Sequence, residues 1–301
     1  MKILIGTISY LNDEEVVEGL LFGTNESEIQ ITRVTGLETP PIRNNYGPWS
    51  GKDGGYMSSQ LYSGREITIE GFYTDTNANC LLDDDFRTDP YSTRERLTNG
   101  LQIRQLYPIF FQLISGKIFY TEGYMIDFKM DFDNYKTGKY SVTFYCPYYE
   151  LMTATEFGNK ESIWQESLLY KERYGGHLVP ETIPVLFELG YHATTINYKG
   201  LIPSWPKITL KGPSNEPITI LNATTNKYIR IHTTIVAGQT LVVDMAAREV
   251  TVNGKSISMS IDENSDWWYL RPGENRIYLL TGKNDDTFVA NIRWTNNYQG
   301  M

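Results

Sequence analysis

A chain of 301 residues, 41% hydrophobic and 21% charged, has the material for two folded domains or one large one, each with a real core. Its net charge is −9, and no run of Lys or Arg is long enough to neutralise a row of phosphates, which argues against tight binding along a nucleic-acid backbone. Two cysteines, Cys80 and Cys146, make no disulfide framework and read as free thiols of a reducing compartment.

Aromatic residues reach 13%, with 22 Tyr among them. Tyrosine suits half-buried strand faces and contact surfaces, because its ring packs while its hydroxyl stays hydrogen-bonded. The opening MKILIGTISYLNDEE turns acidic at once and lacks a small-residue cleavage pattern, so no signal peptide is expected. No apolar run approaches the roughly 20 residues of a membrane span. A soluble protein made in the cytoplasm is expected, in which the sequons at Asn25 and Asn222 stay unmodified.

In chain order, Lys2 to Tyr10 reads as a strand, followed by an acidic turn and an apolar stretch from Val16 to Phe22. The segment from Ile31 to Tyr73 is more distinctive. A strand pattern ends at Gly36-Leu37, and a second strand closes the segment, with Ile67, Ile69, Gly71 and Tyr73 on one side and Glu66, Thr68 and Glu70 on the other. Between them runs a stretch carrying Pro40-Pro41, Gly47-Pro48, Gly51 and Gly54-Gly55, which reads as a loop too long for a hairpin. Loops of such length in compact domains are usually functional or bound to a partner.

Thr74 to Arg87 is polar, and its Asp83-Asp84-Asp85 run reads as solvated, since calcium loops alternate ligands with spacers around a Gly turn. A helix of about three turns starts near Ser92: Ser92-Thr93-Arg94-Glu95 fits a capping box, Leu97 and Leu101 share a face, and Asn99-Gly100 suits its end. Strands resume at Tyr107 to Ile114 and Lys117 to Tyr120 around Ser115-Gly116, then at Tyr124 to Phe132 and Lys139 to Tyr145 around Thr137-Gly138. Pro147 ends the ladder.

From Leu151 to about Pro184 the composition turns polar and Gly-containing, which reads as a linker or arm. The expected division is therefore 1–150, a linker over 151–183, and 184–301. The second half is dense in alternating runs, at Ile208 and Leu210, Ile229 and Ile231, Leu241 to Met245, Val250 and Val252, Ile257 to Ile261, Ile277 and Leu279, and Phe288 to Trp294. Asn253-Gly254 is a strong hairpin turn, because both central positions need positive φ. Short strands at this spacing predict an antiparallel sandwich.

No nucleophile-elbow, zinc-protease, phosphate-loop or dinucleotide motif occurs, and His177, His192 and His232 are isolated from one another. The reading is a non-enzyme without catalytic residues, metal ligands or cofactor. Asp262, Asn264 and Asp266 have the first spacings of a calcium loop, but Trp267 stands where its Gly would be needed. Trp267, Trp268 and Tyr269 admit two readings: exposed rings that stack on sugars, or strand-entry residues of which at least one is core.

Three places carry a family resemblance. In the first half they are Val34-Thr35-Gly36-Leu37, Asp53-Gly54-Gly55 and Gly64 to Gly71; at its end, Phe144-Tyr145-Cys146-Pro147-Tyr148; in the second half, Asn197 to Gly200, Pro206 to Gly212, Pro217 to Ile220, Asn253-Gly254 and Pro272 to Ile277. In this joint order the chain resembles the distal tail (Dit) proteins of long-tailed phages, the siphovirus-type tail component family. The resemblance implies a mainly β protein: an N-terminal tail-tube-like β-barrel or sandwich with one helix, followed by a C-terminal galectin-like antiparallel β-sandwich. It further implies a structural virion tail protein forming a homohexameric ring that joins the tail tube protein to baseplate, tip or hub proteins. DNA would pass through the channel without specific binding, and no membrane is involved. On this reading Pro40, Pro41, Arg43, Tyr46, Trp49, Asp53, Tyr56 and Met57 are candidate ring-interface residues. The alternative is a carbohydrate-binding module for adhesion to the host wall, with receptor-binding proteins or host polysaccharide as partners and Trp267, Trp268 and Tyr269 as its candidates.

Overall fold

The computed structural model describes residues 1–11, 14–23, 28–74, 93–132, 137–171, 191–281 and 288–301. Cys80, Asp83 to Asp85, Ser92 and His177, singled out in the sequence, lie outside these. The chain divides into two compact units, Met1–Ile163 with Tyr298–Met301, and Trp164–Asn297.

The first unit is built on strands β1 (Lys2–Leu11), β2 (Glu14–Phe22), β3 (Ile29–Thr35), β4 (Ile42–Pro48), β5 (Gly55–Tyr62), β6 (Arg65–Thr74), β7 (Leu106–Gln112), β8 (Ile118–Phe132), β9 (Thr137–Cys146) and β10 (Leu151–Ala154), with helix α1 (Thr93–Asn99). The main sheet runs β2-β1-β7-β8-β9-β6-β3, all neighbours antiparallel, and β10 pairs with β8. Among the described residues the ladders do not close into a barrel: β2 and β3 end the path, and Gly23 and Gln30 meet in an isolated bridge.

Period-two alternation builds the core on one face of this sheet. Ile67, Ile69 and Tyr73 of β6 face Tyr140, Val142 and Phe144 of β9, with Ile109 and Phe111 of β7 and Ile3 and Ile5 of β1 beside them, all buried. Leu97 and Leu101, the pair expected on one helix face, join the same cluster. The apolar stretch from Val16 to Phe22 is part of β2, a hairpin partner of β1 over its whole length.

The second unit contains β11 (Trp164–Lys171), β12 (Tyr191–Tyr198), β13 (Lys207–Lys211), β14 (Ile218–Asn222), β15 (Lys227–Ile231), β16 (Thr240–Asp244), β17 (Glu249–Val252), β18 (Lys255–Ser256), β19 (Gly273–Leu280) and β20 (Val289–Thr295). The ladder runs β15-β14-β19-β12-β11-β20-β13-β16-β17-β18. It folds over at β11, whose Trp164 to Leu169 pair with β20 while Tyr170 and Lys171 pair with β12. The inward residues of both layers, among them Ile220, Ile229 and Leu279 on one and Ile208, Val243 and Ile292 on the other, form one buried cluster. This is the antiparallel sandwich expected from the sequence.

Two local expectations change. Strands β10 and β11 lie inside the segment read as a linker. Ile257 to Ile261, whose alternation with serines suggested a strand, instead holds a short 3-10 turn at Ser258–Ser260 with Met259 wholly exposed. Asn253-Gly254 does form the tight turn, with φ of 49° and 77°. The Asn253 Oδ1 accepts from the Thr240 N–H at 2.9 Å and pins the turn to β16.

Candidate assembly interface

The stretch read as a long loop is a β-hairpin. Strands β4 and β5 pair from Ile42↔Tyr62 to Pro48↔Gly55 as a two-stranded sheet of their own, with a bulge between Asn45 and Tyr46. The Trp49 N–H donates to the Gly54 carbonyl at 3.2 Å to close the turn, where Gly51 and Gly54 both have positive φ. Trp49 and Tyr56 pack ring against ring at 5.4 Å near the tip.

This ribbon buries almost nothing. Ile42, Tyr46, Trp49, Tyr56, Met57, Leu61 and Tyr62 are all exposed, Tyr46 at 73% and Met57 at 59%. A two-stranded hairpin is marginal in water on its own, and contiguous exposed apolar groups of this kind mark an interaction surface. Of the eight residues read as interface candidates, Arg43, Tyr46, Tyr56 and Met57 lie on the two strands and Trp49 and Asp53 at the tip. Pro40 and Pro41 lie at the root, Pro40 buried and Pro41 exposed.

The root is organised around Arg65, the first residue of β6, which enters the sequence reading only as part of the Gly64 to Gly71 motif. The residue is 1% exposed. The Nε–H donates to the Tyr149 carbonyl at 3.0 Å, Nη1 donates to the Gly36 and Glu38 carbonyls at 3.3 Å each, and Nη2 donates to the Gln299 carbonyl at 2.5 Å and also to Tyr149. These contacts use all five donors of the planar fork, so the charge is solvated by peptide carbonyls in place of water. Burial lowers the guanidinium from its ordinary value, while Cys146 and Glu38 act in the opposite direction.

Gly36 makes the cage possible. It holds φ of 89°, and a Cβ there would sit 1.8 Å from the Glu66 carbonyl oxygen. Its N–H is taken by the Glu38 carboxylate at 3.0 Å. Beside the cage Tyr62, at the end of β5, stacks on Tyr149 at 5.1 Å.

In the second unit Trp268 is fully buried in the sandwich core, which leaves it no face to offer a sugar. Trp267 is half-buried against that core, and Tyr269 is half-buried with its ring edge-on to Trp205 at 5.2 Å. The three therefore do not form an exposed aromatic platform. His232 and Asp262 pair at 3.2 Å, and the Asp262 carboxylate also accepts from the Asn264 N–H. That hydrogen bond, with His232, holds Asp262 below the usual carboxylate range. Among the described residues no group of three or more potential metal ligands converges, and no helix is long and apolar enough to cross a membrane.

Residues 199–298 match the siphovirus-type tail component family, C-terminal domain. Over 98% of its length, and 98% of the other chain, this chain superposes on the crystal structure of the SPP1 Dit protein, with a TM-score of 0.60 at 15% identity. That protein is described as a paradigm of the hub adsorption apparatus in phages infecting Gram-positive bacteria. A chain of the phage P2 baseplate in its activated conformation aligns over 97% of this chain and 96% of its own, with a TM-score of 0.42 at 12% identity. No curated protein matches. The distal-tail resemblance read from the sequence is matched over residues 199–298 by the family model, and the fold is that of the SPP1 Dit protein.

Proposed function

We propose that this chain is a structural component of a phage tail that closes into a homohexameric ring at the distal end of the tail, joining the tube protein to baseplate, tip or hub proteins, and that it works without catalysis. One observation carries the reading: hairpin β4–β5 exposes seven large apolar side chains on a ribbon with almost no core of its own. A closed ring needs two different complementary patches on each subunit. The hairpin is one of them, with Tyr46, Trp49, Tyr56 and Met57 as its anchors and Arg43 and Asp53 as polar flanks. Buried aromatic anchors each contribute about 2 kcal/mol or more to association. In this reading Met1–Ile163 with Tyr298–Met301 supply the ring, Trp164–Asn297 the sandwich, and DNA passes the acidic assembly without being held.

The experiment compares the full chain with a triple variant, Tyr46→Ser, Trp49→Ser and Met57→Ser. Light scattering and electron microscopy should give a particle near six subunits for the parent and a folded monomer for the variant. A parent that stays monomeric at high concentration, or a variant that still forms rings, would defeat the proposal. The adhesion alternative gains nothing from Trp268, which is core.

A further inference from the structure

The Arg65 cage reaches further than the hairpin root. Its tightest unshared acceptor, the Gln299 carbonyl, belongs to the four residues Tyr298–Met301, which join the first unit only after the whole second unit has been traversed. Those residues make three more contacts with the root. The Gln299 Nε2 donates to the Tyr62 hydroxyl at 2.5 Å, the Met301 N–H donates to the Leu37 carbonyl at 3.0 Å, and Gly300 lies against the Glu38 backbone. Tyr298 is fixed from the other side, edge-on to Phe119 at 5.8 Å with the Lys117 ammonium 4.1 Å from its ring centre.

Both strands leaving the hairpin are thus gripped by one device. The Gly36 and Glu38 carbonyls precede β4, Tyr62 ends β5, and Arg65 follows it. The ribbon's own ladder gives it internal register, but no buried face holds its direction.

We propose that residues 298–301, locked by Arg65, are a positioning element that sets the direction of hairpin β4–β5, so that self-association depends on the segment that follows the sandwich. This rests on the ring reading of the hairpin. It requires an arginine: a lysine offers three donors from one point and cannot reach carbonyls on opposite sides of a planar fork.

The test uses the full chain with Cys80→Ser, labelled with nitroxides at Lys52→Cys on the hairpin tip and Ser115→Cys on the β7–β8 turn, both exposed. Samples are diluted with unlabelled protein so that only distances within one subunit are read. The parent should give a narrow distance distribution. Deleting residues 299–301, or making Arg65→Lys, should broaden it at least about twofold, while circular dichroism stays that of a folded β protein. Loss of hydrogen bonds to a charged group corresponds to a shift of about tenfold or more in the equilibrium between held and free hairpin. Light scattering of the same samples should show assembly weakened in both variants. An unchanged distribution in either variant overturns the proposal, as does full ring formation by a variant whose distribution has broadened. If the parent itself is monomeric while both variants still broaden, the ring reading falls and the positioning role of residues 298–301 stands.

Discussion

Replacing Trp268 with Ala tests the architecture of the second unit most directly. Its side chain is fully buried between Ile and Leu residues of both sheet layers. Truncating a buried tryptophan costs about 3–5 kcal/mol, from lost transfer energy and the cavity left behind. With a urea dependence of about 2 kcal/mol per molar, the unfolding midpoint should fall by roughly 1.5–2.5 M. Trp49 is the one tryptophan of six that lies in the first unit, so tryptophan fluorescence follows the sandwich, with circular dichroism as a second probe. Trp268→Phe should cost much less, about 1–2 kcal/mol, because the indole N–H it removes has no hydrogen-bond partner in the fold. Trp267→Ala, at a half-buried site, should also stay near 1–2 kcal/mol. A Trp268→Ala midpoint no lower than that of Trp267→Ala would refute the placement of Trp268 in the core and reopen its candidacy as a sugar platform.

Two further predictions concern titration and turn geometry. Burial pushes the Cys146 thiol up to about 11 from 9.0, and burial is also the main cause that raises Tyr149 to about 12 and Tyr120 and Tyr140 beyond their ordinary range. The unfolded chain releases these protons at lower pH than the folded one, so stability should be full below about pH 9 and fall as pH rises toward 11. Thermal melts at pH 8 and 10.5 read this, and a midpoint that does not fall contradicts it. In a Cys80→Ser background, Cys146 should also resist a thiol reagent at pH 8 until guanidinium is added. For the turn, Asn253→Ala loses both the left-handed backbone preference and the bond to the Thr240 N–H. It should destabilise the sandwich by about 1–3 kcal/mol. Asn253→Gly, which keeps the backbone freedom, should lose less, and equal losses would contradict this account.

The sandwich was legible because its strands have one wet and one dry face, so alternation such as Ile208-Thr209-Leu210 records the core directly. The same holds for Ile67, Ile69 and Tyr73. The hairpin was misread as a loop for the converse reason. Both of its faces are exposed, so its apolar residues carry no period-two signal, and its Pro, Gly and Asn residues suggested turns throughout. Ser256, Ser258 and Ser260 mimicked alternation where the backbone turns instead. Arg65 was invisible as a clamp, because its acceptors at Tyr149 and Gln299 lie 84 and 234 positions away and are backbone carbonyls, to which any residue type contributes. Trp268 could not be told from Trp267 without knowing which side of the entry segment faced inward.

On the proposed ring reading, the hairpin also bears on how a subunit would survive before assembly. A free two-stranded ribbon studded with aromatic and aliphatic groups is a template for open-ended stacking, strand upon strand. Here Pro41 and Pro48 bracket one edge, the bulge at Asn45 and Tyr46 twists it, and Lys52 and Asp53 place opposite charges at the tip. Each of these interrupts a flat run of hydrogen-bonding groups without removing the apolar side chains. The ribbon is thereby a poor seed for fibres while remaining adhesive to a surface shaped for it.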